Sequence, residues 1–179
     1  MSDPVSPLPT IREFGGHDWF LTKFSRRNLP HWELTGSTYF ITIRVHREVG
    51  RPFLDAQLAK IVISALVEAD KKSYDLYAFV VMPDHVHMLI KPLFGKKLSS
   101  IMKILKGATA YQINQKLMRS GKFWQTENFD HLVRDATGLK HKWEYIKENP
   151  VKAKLAKKPE DYPYSSFYTP MSQLVDSLP

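Results

Sequence analysis

The chain has 179 residues, 43% of them hydrophobic and 25% charged, with 26 Lys and Arg against 18 Asp and Glu for a net charge of +8. That length suits one domain with a core, and the basic excess fits a polyanionic partner as readily as an ordinary basic soluble protein. Without cysteine, disulfides, thiolate metal sites and cysteine nucleophiles are excluded. No apolar run reaches the roughly eighteen residues of a membrane span, and Met1–Thr10 lacks the basic start and apolar centre of a secretory signal, so a cytoplasmic protein is expected.

Residues 1–30 mix proline, glycine and charge without an apolar period and read as an N-terminal arm. Residues 31–150 carry the predicted elements of the folded domain, and residues 151–179, where lysines, prolines and aromatics alternate, read as a C-terminal tail packing on it. The β-branched and aromatic run from Thr38 to Val45 predicts a strand. Leu54 to Lys71 follows, with Leu58, Ile61, Val62, Ala65, Leu66 and Ala69 at helical spacing. Leu76–Met82 and His85–Ile90 predict two strands joined through Pro83-Asp84, paired most simply as an antiparallel hairpin. Leu98 to Met118 predicts a second helix, ended by Ser120-Gly121. A fourth strand is expected within the aromatic stretch from Phe123 to Arg134, then a short helix from Leu139 to Asn149, stopped by Pro150. This order predicts an α+β fold: a ferredoxin-like sandwich, an antiparallel sheet with helices on one face.

Residues two apart on a strand point to the same face, so His85 and His87 converge while Val86 turns into the core. Neutral imidazole is the commonest protein metal ligand. Taken alone, such a pair better suits two inert, hydrogen-bonded surface histidines. Tyr145 and Asn149, four apart on the last predicted helix, share a face close to its end. Alone, they suit a core aromatic and a helix-ending residue.

Met82-Pro83-Asp84-His85-Val86-His87, followed by Tyr145-Ile146 and Asn149-Pro150-Val151, resembles the REP-associated tyrosine transposases. These belong to the IS200-like single-tyrosine transposases with a His-hydrophobic-His nuclease motif. The resemblance extends to Arg27-Asn28-Leu29-Pro30-His31-Trp32, to Ser120–Gln125 and to Asp161–Phe167, five short motifs in the same order. It implies a transposase that cuts and rejoins single-stranded, hairpin-forming DNA through a 5′-phosphotyrosine. Tyr145 would be the nucleophile, His85 and His87 metal ligands, and Asn149 a third ligand where insertion-sequence relatives carry glutamine. The mixed nitrogen and oxygen donors suit Mg2+ or Mn2+. Tyr111, on the second helix, is a second candidate nucleophile. A plasmid-type initiator would usually carry a third histidine, which this motif lacks. A non-catalytic hairpin-DNA-binding protein of the same fold is the alternative.

Basic residues expected to hold the phosphate backbone are Arg26 and Arg27 in the arm, Lys96, Lys97, Lys103 and Lys106 around the second helix, and Lys142 and Lys152 around the third. A solvated helix face is the other reading of the lysines. A monomer is expected over the dimer of the insertion-sequence relatives.

Overall fold

The computed structural model describes residues 21–25, 31–34 and 36–168. Strands β1 (Leu21–Ser25) and β2 (His31–Leu34) form an antiparallel pair of their own. Local composition instead places Leu21–Ser25 in an irregular arm. The strand carries no clean two-residue alternation, and pairing with β2 supplies what local pattern does not.

The main sheet contains β3 (Thr38–Arg44), β4 (Tyr74–Met82), β5 (His85–Pro92) and β6 (Phe129–Val133), in the order β4-β5-β3-β6 and antiparallel throughout. Helices α1 (Ala56–Ala69), α2 (Leu98–Lys116) and α3 (Ala136–Lys152) complete the α+β fold. The register of β3 on β5 sets Thr42 opposite His87 and Arg44 opposite His85. On its other side β3 sets Thr42 opposite Phe129 and Phe40 opposite His131.

Two apolar layers flank this sheet. Tyr39, Ile41 and Ile43 of β3, with Phe79, Val81, Val86 and Met88, pack against Leu58, Val62 and Leu66 of α1 and Ile101, Met102 and Leu105 of α2. Phe40, Val80, Met82 and Leu89, the alternate positions, pack against Leu139 and Ile146 of α3 and Tyr162. The expected arrangement, all helices on one face, therefore holds for α1 and α2 and not for α3. Helical periodicity says which stripe is buried but not which side of a sheet receives it.

Helix α3 also runs longer than predicted. Asp135 caps its start, its carboxylate accepting from the Gly138 N–H at 2.7 Å. Pro150 does not stop it. The proline removes the N–H that would bond the Ile146 carbonyl, but its ring is buried, and the Ala153 N–H still reaches the Asn149 carbonyl at 3.0 Å. Tyr145 consequently sits in the body of the helix rather than its last turn.

The segment after α3 lies along the outer strand β4. The Val81 N–H donates to the Tyr164 carbonyl, the Ser166 N–H to the Phe79 carbonyl, and the buried Tyr162 hydroxyl to the Val81 carbonyl at 2.8 Å. This covers an edge that would otherwise offer free backbone groups. Trp143 meets Phe167 edge-on at 4.8 Å, so this segment also packs on α3. No helix among the described residues is long and apolar enough to cross a membrane.

Candidate active site

The site is built on the α3 face of the sheet, by strand alternation. Phe40, Thr42 and Arg44 from β3 alternate with the core residues Ile41 and Ile43, as His85 and His87 from β5 alternate with Val86. The two histidines meet Nε2 to Nε2 at 3.1 Å. Each is held by its other nitrogen: His85 Nδ1 lies 2.6 Å from Asp84 Oδ1 and His87 Nδ1 lies 2.8 Å from Thr42 Oγ1. Partners of this kind fix imidazole orientation and raise its basicity as a ligand. The Phe40 ring stacks on His87 at 5.3 Å and 23°.

His87 is 4% exposed. Burial, assisted by the charges of His85, Arg44 and Lys142, pushes its pKa down to about 3. Burial also lowers that of His85, Arg44 adding to the effect while the bond to Asp84 opposes it. For Asp84, burial favours the neutral acid, but the bond to His85 and the charges of His85 and Arg44 outweigh it and hold the pKa below the usual carboxylate range. Both rings are thus neutral near pH 7, with lone pairs available.

The donor set fits a divalent cation. The Nε2–Nε2 distance of 3.1 Å is that of two adjacent corners of an octahedron with bonds of about 2.1 Å, although it is equally a hydrogen-bond length. Among the described residues no three His, Cys, Asp or Glu side chains cluster as ligands, so a third ligand drawn from these residues would be of another type.

Helix α3 brings Tyr145 against this pair. Its ring lies 5.2 Å from that of His87 and 5.6 Å from that of Phe40, edge-on to both, and it is 41% exposed. Ile146, fully buried, anchors the same turn into the sheet. Asn149 follows one turn on, half-buried. Tyr111, the other candidate, stands on α2 on the far side of the sheet, its hydroxyl accepting from Gln115 at 2.6 Å.

The basic residues separate. Lys142 places its ammonium 4.8 Å over the Phe40 ring and Lys152 places its own 5.8 Å over the Tyr145 ring, so both flank the site. Lys106 donates to the carbonyls of Gln125 and Thr126 at 2.8 and 3.0 Å, tying down a loop. Lys103 stands exposed on the α2 side. Lys96 and Lys97 lie past the end of β5 distant from His85, roughly 20 Å away along the strand. Arg26 and Arg27 lie outside the described residues. Arg44, an exposed cation beside His85, and Thr42 and Phe40 are not singled out by any motif in the sequence. Period-two alternation through β3 groups these three, but only the register against β5 puts them beside the histidines.

The family model described as "Transposase IS200 like" matches residues 43–149. The REP-associated tyrosine transposase of Escherichia coli is 25% identical over 137 residues, covering 75% of this chain and 79% of that protein. A Haemophilus influenzae protein with a provisional name of the same kind is 25% identical over 143 residues, covering 74% of this chain and 81% of the relative. Among solved structures, a REP-associated tyrosine transposase bound to a REP hairpin superposes with a TM-score of 0.64 at 23% identity, covering 83% of this chain and 84% of that one.

Proposed function

The chain belongs to the IS200-like transposase family, and from that premise we propose that it cleaves and rejoins single-stranded, hairpin-forming DNA through Tyr145, with a divalent metal held by His85, His87 and Asn149. The observation that carries this reading is the meeting of two neutral imidazoles, Nε2 to Nε2 at 3.1 Å, with the ring of an accessible tyrosine 5.2 Å from one of them. The hairpin follows the relative solved with a REP hairpin and is a proposal for this chain.

In the proposed reaction the Tyr145 oxygen attacks a backbone phosphorus. The bond to the 3′ oxygen breaks, leaving a 5′-phosphotyrosine and a 3′-hydroxyl, and the reverse attack by another 3′-hydroxyl completes strand transfer. Bound Mg2+ or Mn2+ would polarise the scissile phosphate. Asp84 and Thr42 keep the imidazoles oriented. Arg44, Lys142 and Lys152 offer the positive charge that a phosphodiester needs. Helix α3, docked through Leu139 and Ile146, sets the tyrosine's approach. One chain supplies every residue of this set, which supports action as a monomer.

Incubation with a flanked hairpin and manganese, followed by a denaturing gel, tests the reading. Wild type should give a protein–DNA adduct, Tyr145→Phe none at unchanged hairpin affinity, and Tyr111→Phe the wild-type amount. An adduct from Tyr145→Phe, or its loss in Tyr111→Phe alone, rejects the tyrosine. Continued cleavage by Tyr145→Phe without an adduct would instead indicate a metal-activated water. A perfect duplex of the same sequence, or an unstructured strand, cut as well as the hairpin would reject the hairpin preference.

A further inference from the structure

On the outer strand β6, Phe129 and His131 form a ring pair that the chemistry above does not use. Their side chains share the face of Thr42 and Phe40, since Phe129 is opposite Thr42 and His131 opposite Phe40. The rings are parallel within 9°, with centroids 6.4 Å apart. Phe129 is 54% exposed, a large apolar ring in water with no core role, and His131 is exposed as well. A separation of 6.4 Å is close to twice the roughly 3.4 Å rise of stacked bases. One flat aromatic system fits between the rings once their planes open to that spacing. Asp130, between them in sequence, turns to the other face of the sheet, so the gap is not filled from below.

The surroundings favour a nucleotide over a protein side chain. His131, Val133, Arg134, Asp135 and Lys142 are among the residues lining an open cavity of about 290 Å³ beside the ring pair; Arg134 and Lys142 carry positive charge, and the one carboxylate, Asp135, is engaged by the Gly138 N–H at the start of α3. Lys142 also lies over Phe40, which joins the cavity to the Tyr145 site. His87, Thr42 and Phe129 form one row across three strands, placing Phe129 roughly 10 Å from His87.

We infer that Phe129 and His131 clamp one unpaired nucleobase of the DNA flank between their rings, with Arg134 and Lys142 on the adjoining phosphates, so that the flank is threaded along β6 to the Tyr145 site. This rests on the reading of that site as one acting on single-stranded DNA. The clamp is sequence-tolerant, because every base has a π-face. It acts on where the strand lies, making Phe129 and His131 positioning residues.

The test uses hairpins with an unpaired flank carrying 2-aminopurine at each flank position in turn, bound to full-length protein bearing Tyr145→Phe, without metal, so that no cleavage intervenes. One flank position should be quenched on binding. Adding Phe129→Ala or His131→Ala should abolish that quenching and weaken the flanked hairpin about five- to a hundred-fold. His131→Phe should retain both. A stem-only hairpin should bind all variants equally. The inference is overturned by quenching at no position, by quenching that survives Phe129→Ala, or by equal weakening of flanked and stem-only hairpins. Because these readouts need neither metal nor the tyrosine oxygen, they are separable from adduct formation by the wild type, which alone judges the chemistry.

Discussion

Along β3, Tyr39, Ile41 and Ile43 enter the layer beneath α1 and α2, while Phe40, Thr42 and Arg44 face the side covered by α3. The first layer is apolar and closed, with Ile41, Val81, Val86 and Met88 fully buried. The second is incomplete. Phe40, Val80 and Leu89 give it a core, but around Tyr145, itself partly exposed, the positions become Thr42, His85 and His87, and polar groups replace apolar ones. Strand periodicity lets one short segment serve both layers, since each residue of β3 and β5 belongs to only one. The difference teaches that substitutions one position apart should separate folding from chemistry. The closed layer can be altered only at the expense of stability, whereas the open one carries polar groups whose loss the fold tolerates.

The largest expected effect is at the histidines. His85→Ala or His87→Ala should leave the circular-dichroism spectrum unchanged and remove manganese binding in a calorimetric titration. Equal manganese binding in wild type and both variants would mean that the pair is structural, and the distinction between the two faces would lose its chemical half.

Next is the contrast between neighbours. Ile43→Ala empties a site in the closed layer and should reduce unfolding free energy by about 2–5 kcal/mol in a urea titration. Thr42→Val, one residue away, keeps the volume but removes the hydroxyl held at 2.8 Å from His87 Nδ1. Its expected cost is about 10–100-fold in manganese affinity, with far less stability lost. A Thr42→Val protein as unstable as Ile43→Ala would show that the open face also carries the fold.

Much of this division is legible in the sequence, but not its assembly. The alternation of β3 and β5, the pairing of His85 with His87 and the helical phase of Tyr145 and Asn149 follow from local spacing alone. Local spacing does not say that α3 crosses to the other face, because an amphipathic stripe is indifferent to which side of a sheet it covers. Nor does it give the β3–β5 register that brings Arg44 and Thr42 to the histidines. Pro150 misleads because its helix-breaking tendency is local, whereas its burial is tertiary. The lysines mislead in another way: grouped by charge alone, Lys96 lies past the end of β5 distant from His85, whereas Lys142 lies over Phe40 beside the site. The Phe129–His131 pair shows as a two-residue repeat of aromatic rings, yet only its place on an outer strand leaves it open to a ligand.

The smallest effect concerns pH, and its sign follows from His87. In the unfolded chain this imidazole titrates near 6.5, whereas in the fold burial keeps it neutral down to about 3. Below pH 6.5 the unfolded state therefore binds a proton that the metal-free folded state refuses. The stability is fully present above that pH and is lost as pH falls toward 3. Between pH 7 and 5.5 one such group accounts for roughly 1 kcal/mol. His85, whose pKa is lowered in the same direction, adds to the loss, while Asp84, lowered from 3.8, contributes only at more acidic pH. Urea titrations of metal-free wild type and His87→Gln across this interval isolate the buried ring, because His85 and the carboxylates are common to both. The wild type should lose more stability than the variant on acidification. Parallel curves would mean that His87 accepts a proton in the folded state, leaving one face of the sheet far less dry at the histidines than its burial implies.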